Sequence, residues 1–234
     1  RPSDNYIRLN SLRPHSPEPE GEPVKFDWEK KSIRRLLSNS IPATLPGFSG
    51  GAFYIQDPST LLAVDMLNPR PGEAVLDLCA APGGKTTAIA ARMKNDGRVV
   101  ATDIREDRLK QLRENCARLG TDCVEVMQLG TDVREKFDRV LADVPCSNTG
   151  VMRRRVDLRW RLQPRDLQAT TKIQREILRQ AARNVKPGGL LVYSTCSLEP
   201  EENEQMVKAF LERNRAFDLE TERALLPWRD GVDG

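Results

Sequence analysis

The stretch "EAVLDLCAAPGGKTTAIAARMK", residues 73–94, contains the change of period on which the fold reading rests. Residues 73–80 form an apolar run of strand length, and "GGKTTAIAARMK" behind it reads as a helix. The small residues of the turn between them let the backbone approach a ligand, and the helix start offers unpaired N–H groups. Gly84-Lys85-Thr86 matches the end of the phosphate-binding G-x-x-x-x-G-K-[ST] pattern, yet that pattern needs glycine at position 79, where Cys79 stands. With Ala80, Ala81 and Pro82 filling the loop, a phosphate cradle lacks its pliable backbone. An adenosine-type cofactor suits the turn better. Asp103 closes the next strand, "GRVVATDI", near the spacing at which an acid binds ribose hydroxyls. Alone, Asp103 reads equally well as a cap for the following helix; beside the glycine turn, the ribose reading prevails. The G-x-G-x-x-G dinucleotide fingerprint is absent.

Working outward, helix and strand patterns alternate. "DPSTLLAVDMLN" (57–68) reads as a helix with Asp57 or Ser59 as its cap. "REDRLKQLRENCARLG" is a helix ending at Gly120, "CVEVMQL" a strand and "FDRVLADVP" a strand. "QPRDLQATTKIQREILRQAARNVKPGG" holds a long helix stopped by Pro187-Gly188, and "LLVYSTCS" is a strand. "PEENEQMVKAFLERN" is expected to be a helix from Pro200, its early acids suiting the positive end of the dipole. Alternating elements of this kind predict an α/β fold with a mostly parallel, doubly wound sheet, and such sheets bind ligands at the carboxyl ends of their strands. The segment 77–85, Asp103, the segment 143–146 and Cys196 all fall at such ends.

Residues 1–50 read as a small N-terminal extension on a domain covering 51–234. "YIRLNSLR" suits a short strand. "RPHSPEPEGEP" has prolines spaced so that neither helix nor sheet propagates, and "WEKKSIRRLLSNS" is predicted to be one helix. The chain has 234 residues, 38% apolar and 30% charged, with net charge +3, which suffices for one α/β domain with a sizeable core. No run has the apolar length of a membrane span, and no signal peptide is visible. The start at Arg1 and the stop at "RDGVDG" read as those of a fragment.

The 5 cysteines (Cys79, Cys116, Cys123, Cys146, Cys196) are odd in number and irregular in spacing, which suits a reduced, cytoplasmic protein rather than a disulfide framework. There is no CxxC pair, and the single His15 lies in the proline-rich stretch, so neither a zinc site nor histidine-based triad chemistry is expected. Cys146 in "DVPCSNTG" and Cys196 in "YSTCSLEP" each follow the end of an apolar strand. Both therefore qualify as nucleophiles; Cys116 and Cys123 read as small buried hydrophobes, and Cys79 as a residue that shapes the cofactor loop.

"DLCAAPGGKT", "DVPCSNTG" and "YSTCSLEPEENE", in this order, resemble the S-adenosylmethionine-dependent RNA cytosine-5 methyltransferases, the group of bacterial 16S ribosomal RNA enzymes and their NOL1/NOP2/Sun relatives. "FYIQDPST" and "YIRLNSLR" are similar to segments that precede the catalytic domain there. The resemblance implies a class I Rossmann-like methyltransferase. It implies a thiolate that adds to carbon 6 of cytosine and enriches carbon 5 in electrons. The analogous DNA enzymes attack from a Pro-Cys; this family's pattern instead makes Cys196 the nucleophile and gives Cys146 the release of product. It also implies that Cys79, Ala80, Ala81, Pro82, Gly83, Gly84 and Lys85 line the methionine part of the cofactor, with Asp103, Arg108 and Asp143 completing that site. Asp143 would meet the N3/N4 edge of cytosine, and Lys85 would orient the base or the acid. The chain departs from the family pattern in two places. An acid is common near the adenine, where this chain has Gly130, with Asp132 as a substitute; and Arg-x-x-Pro-Asp is common after the Pro-Cys loop, where Val156 replaces proline between Arg153 and Asp157. Against the family pattern, the chain also stops before the last sheet strands.

"MRRRVDLRWRLQPRD" (152–166) follows the Pro-Cys loop with Arg153, Arg154, Arg155, Arg159, Arg161, Arg165 and Trp160. Arginine suits phosphate and tryptophan suits an unpaired base. Arg153, Arg154, Arg155, Asp157 and Trp160 are thus candidates for contact with RNA, ribosomal RNA first and transfer RNA second. A solvated basic face is the alternative. For the whole chain, the competing reading is a noncatalytic RNA-binding relative on the same fold.

Overall fold

The computed structural model describes residues 4–29, 31–37, 41–128, 133 and 135–234. Its main layer is a five-stranded parallel sheet: β5 (Ala74–Asp77), β6 (Arg98–Asp103), β7 (Val124–Gln128), β8 (Phe137–Asp143) and β9 (Val185–Ser194), in the order β7-β6-β5-β8-β9. The order reverses at β5, so a crevice opens beyond the carboxyl ends of β5 and β8. Strand alternation divides the core. Val75, Val99 and Leu141 face α1 (Thr60–Leu67) and α2 (Gly84–Arg92). Their neighbours Leu76, Val100 and Val140 face Ile177 and Ala181 of α5 (Pro164–Asn184). Both faces are covered, as the doubly wound reading requires. α3 (Glu106–Leu119) buries Leu109, Leu112 and Cys116 against Ala80, Ala81 and Ala101, and ends at Gly120 in the left-handed conformation.

The N-terminal part is a second, antiparallel sheet of order β2-β3-β1-β4, from β1 (Tyr6–Leu9), β2 (Gly21–Pro23), β3 (Ile33–Leu36) and β4 (Phe53–Ile55). Two expectations are corrected here. The "WEKKSIRRLLSNS" stretch contains β3 rather than a helix: β1 supplies its ladder, Ile33 is buried beside Tyr6 and Trp28, and Arg34 and Arg35 pair with Glu18 and Glu22. Tertiary pairing outweighs the helical spacing of its apolar residues. The proline-rich stretch, expected to be free of sheet, donates β2 at the edge, where Pro23 loses no essential ladder bond. Residues 30 and 38–40 of the stretch lie outside the described residues.

Two helix boundaries also move. α5 opens with a capping box between Gln163 and Asp166 but ends at Asn184, ahead of Pro187-Gly188. Val185 already takes extended backbone at φ −83 and ψ 133, and it opens β9. The last motif helix, α6 (Glu204–Arg213), begins beyond Pro200 because Asn203 leaves helical space at φ −118 and ψ −108. Pro200–Glu202 forms a separate 3-10 turn.

Candidate active site

The β8–β9 ladder ends at Asp143 opposite Ser194, and both cysteine loops leave the sheet from there. Backbone bonds stitch the loops together, Val144 N–H to Ser194 O and Gly150 N–H to Cys196 O, each 3.0 Å. Asn148 takes a left-handed turn and donates its Nδ2 to Cys146 O. The two sulfurs end 3.3 Å apart, and the Cys196 thiol donates to Asn148 Oδ1 at 3.0 Å. Lys85, one residue into α2, reaches across β5 and pairs with Asp143 at 2.7 Å, while Ser194 Oγ donates to the other Asp143 oxygen at 2.6 Å. Burial works against the Lys85 ammonium, but Asp143 outweighs it and holds the pKa above the ordinary lysine value.

Two thiols in contact cannot both ionise readily; the first proton lost leaves a thiolate that holds the second. The contact between the two sulfurs pulls the Cys146 thiol down and pushes Cys196 up, with burial adding to the rise at Cys196. Among the fixed charges, Asp143 also disfavours ionised Cys196 and Lys85 favours it, while Glu202 disfavours ionised Cys146. Which sulfur carries the charge therefore depends on what replaces the Cys196–Cys146 contact when a substrate enters. The helix expected from Pro200 begins only at Glu204. The short turn before it instead carries the fully buried Glu202.

On the cofactor side, Gly83 caps α2 at φ 107, and a Cβ there would stand 2.7 Å from Leu112 Cδ1. Arg108 donates to Ala81 O and Asn115 Nδ2 to Pro82 O, so α3 holds the turn from outside. Asp103 is 3% exposed, accepts the Arg105 N–H at 3.1 Å, and has Arg108 3.5 Å from its second oxygen. Asp77 Oδ2 accepts from Thr86, while its buried Oδ1 has no partner. Burial, helped by Asp143, raises the Asp77 pKa to about 7 against the Thr86 bond and Lys85. Cys79 is pushed well above the ordinary thiol value by burial, and burial also raises Cys116 and Cys123, which suits unreactive sulfur. Gly130 and Asp132, weighed for the adenine, lie outside the described residues.

Three residues at this site escape local sequence reasoning. Arg8 of β1 is buried and donates to Gly84 O at 2.8 Å and Thr87 Oγ1 at 2.7 Å, tying the N-terminal sheet to the cofactor helix. Burial lowers its pKa to about 10. Its only signal was a cation inside an apolar strand. Asn148 and Glu202 sat in quoted motifs, but their partners are remote in sequence.

The basic segment divides. Arg154 bonds Asp233 at 2.6 Å and Asp57 at 2.8 Å, and Arg153 bonds Asp233 at 3.0 Å. Asp57, expected only as a cap, does accept the Ser59 N–H but also anchors this network. Asp157 faces Arg161 at 3.1 Å and Arg155 at 3.8 Å. Arg159, Arg161 and Arg165 are exposed, and Trp160, on the short α4 (Leu158–Arg161), is 83% exposed.

A family model described as "16S rRNA methyltransferase RsmB/F" matches residues 64–228, which includes the cofactor turn and both cysteine loops. The chain belongs to this RsmB/F family. "Ribosomal RNA small subunit methyltransferase B" of Vibrio cholerae is 44% identical over 204 residues, 81% of this chain and 46% of that protein. The Vibrio vulnificus protein of the same name is 42% identical over 205 residues, 82% of this chain and 47% of its own length. The chain thus spans about half the length of the curated relatives it matches. Among solved structures, the crystal structure of PH0851 is 32% identical with a TM-score of 0.90, covering 100% of this chain and 58% of that one. The structure of NSun6 from Pyrococcus horikoshii with SFG is 30% identical with a TM-score of 0.77, covering 87% of this chain and 57% of that one. The likeness to the first of these structures takes in the residues of the parallel sheet and both cysteine loops.

Proposed function

We propose that this RsmB/F chain carries the catalytic part of an S-adenosylmethionine-dependent RNA cytosine-5 methyltransferase acting on 16S ribosomal RNA. The observation that carries the proposal is the convergence of Cys146 and Cys196 to 3.3 Å beside the Lys85–Asp143 pair, at the strand ends where this fold binds ligands. Family membership and the names of the relatives support the reaction and the RNA. Residues 51–234 form the proposed catalytic domain; the antiparallel layer before it runs on through β4 and is clamped to α2 by Arg8.

The cofactor fits the residues present. Gly83 and Gly84 bring the backbone of the turn close to its neighbours without side chains, Asp103 is a buried acceptor suited to ribose hydroxyls, and Asp77 Oδ1 is a buried acceptor without a donor. Bound S-adenosylmethionine supplies an electrophilic methyl group. The turn 79–85 would hold its methionine part, Asp103 its ribose, and Arg108 would brace both through Ala81 and Asp103.

The chain's own residues then do the following. Cys196 sulfur, freed of its proton, adds to cytosine carbon 6. Asp143, fixed by Lys85 and Ser194, meets the N3/N4 edge, and when it carries a proton there it would hydrogen-bond the ring and stabilise the adduct. After carbon 5 is methylated, Cys146 assists removal of its proton, and the carbon–sulfur bond breaks to return Cys196. Trp160 and the exposed arginines would hold flanking RNA, which must present the base unstacked. The five cysteines, none in a disulfide, fit a cytoplasmic setting, and no helix among the described residues is long and apolar enough to cross a membrane.

Bisulfite mapping of RNA from cells with and without the full-length protein tests the proposal. A 16S cytosine that resists conversion only when the protein is present supports it. Protection confined to transfer RNA would move the substrate, and no change anywhere would leave a noncatalytic RNA-binding relative.

A further inference from the structure

Glu202 lies outside the reacting groups, yet it is fully buried and no cation pairs with it among the described residues. Four donors hold its carboxylate. Ser147 N–H reaches both oxygens at 3.0 and 3.1 Å, Ser147 Oγ reaches Oε2 at 2.5 Å, and Thr170 Oγ1 and Gln174 Nε2 reach Oε1 at 2.7 and 2.8 Å. Burial pushes its pKa up, but the hydrogen bonds, those of Ser147 foremost, outweigh this and hold the group below the ordinary glutamate value.

The bonding pattern reaches both thiol loops. Ser147 follows Cys146 and Ser197 follows Cys196, and the two hydroxyls share a hydrogen bond of 2.9 Å. Thr149 Oγ1 lies 3.3 Å from Ser197 Oγ and accepts the Leu198 N–H at 2.8 Å. Gln174 of α5 also donates to Pro145 O at 3.0 Å, and Tyr193 of β9 donates to the Glu202 carbonyl at 2.7 Å. The sheet ladder stops at Asp143 and Ser194, short of both cysteines. Side chains gathered on one carboxylate extend the alignment past that end.

We infer that Glu202 is a positioning residue for the thiol pair: its carboxylate grips the residue after Cys146 and, through that residue's hydroxyl, the residue after Cys196. The inference rests on the proposed roles of the two cysteines in methyl transfer. A glutamine at 202 would turn an NH2 toward groups that are themselves donors, so part of the grip is lost while size is kept. The negative charge of Glu202 also opposes ionisation of Cys146, against the larger pull of the Cys196 contact.

The test uses the full-length protein and two readouts. In the first, diamide takes two electrons and two protons from the Cys146 and Cys196 thiols, joining them in a disulfide and becoming the hydrazine. Glu202→Gln should slow this cross-link about tenfold, because disulfide formation demands close sulfur geometry. In the second, kcat for RNA methylation should fall about 100-fold, the cost of misplacing reacting groups by about 1 Å, with KM for RNA and cofactor affinity within a factor of about two. Glu202→Asp, which restores the carboxylate on a shorter stem, should recover part of both. A folded, cofactor-binding Glu202→Gln protein that cross-links and turns over like wild type overturns the inference. If that variant does not fold, Ser147→Ala serves: slower cross-linking supports the grip, and an unchanged rate overturns it. Failure of the methyltransferase reading would look different, with no methylation by wild type while the cross-link rate still follows residue 202.

Discussion

The thiol edge and the arginine segment 152–166 both looked functional in one dimension, and folding treats them differently. Cys146, Cys196, Asp143 and Lys85 arrive at one place because Asp143 ends β8, the two cysteine loops leave the ends of β8 and β9, and Lys85 opens the helix after β5. The arginines share a short stretch, yet they part. Arg153 and Arg154 turn back to Asp57 and Asp233, carboxylates remote from each other in the chain, with only 28% and 29% of their side chains exposed. Arg159, Arg161 and Trp160 remain in solvent. Position on a sheet edge is inherited from the backbone; the fate of a charge is decided by which opposite charge the tertiary fold delivers.

The contrast breaks first at Cys196. Cys196→Ala should lower methyl transfer by a factor on the order of 10^4 while cofactor affinity by calorimetry stays unchanged. Persistent turnover would remove the nucleophile from this position. Cys146→Ala should cut turnover about 100-fold, in the range of lost general acid–base help, and accumulate an RNA-linked species that survives denaturing electrophoresis. Without that band, Cys146 has no part in release. For the arginine side, Asp233→Ala strips both guanidinium groups of a partner and should cost about 2 kcal/mol in urea unfolding, less than a fully buried pair because the arginines are partly solvated. A change below about 0.5 kcal/mol would mean that the clamp is unformed and these arginines are available to RNA after all. The double change Arg159→Ala, Arg161→Ala should leave stability within about 0.5 kcal/mol, yet reduce the salt dependence of RNA binding by about one to two released ions. An unchanged salt slope would return them to a plain solvated face.

The smallest effect is a pH signature at Asp77. Its native pKa of about 7 lies above the ordinary 3.8, so the folded state keeps a proton that the unfolded chain has already released. This group's contribution to stability therefore falls as pH rises from about 4 to about 7 and is flat above. Asp77→Asn should remove that fall, seen as a flatter melting temperature against pH. Parallel curves for the two proteins would contradict the assigned protonation.

The sequence made the parallel layer legible because its strands are short apolar runs closed by glycine, proline or acid. β5, β6, β8 and the helices after them appear where period and turn residues place them. β3 was hidden because its ladder partner, β1, is remote and Ile33, Leu36 and Leu37 mimic helical spacing. The start of α6 was hidden because Asn203 is held by Ser197, Glu199 and Thr195, partners a linear pattern does not display. At the site, the thiols and the cofactor turn were visible as motifs. Arg8, Asn148 and Glu202 were not, since each acts through a group on another segment.

The pairing of Asp143 with Ser194 has a consequence for how this scaffold can change over time. Two adjacent strands aim two sulfur atoms at a single spot, so an incoming ring would find a reactive group on either hand. Transferring the attack from one arm to the other would call for relocating a proton and its stabilising charge, with no rebuilding of the backbone. The frame is ambidextrous, and its handedness is written in the loops.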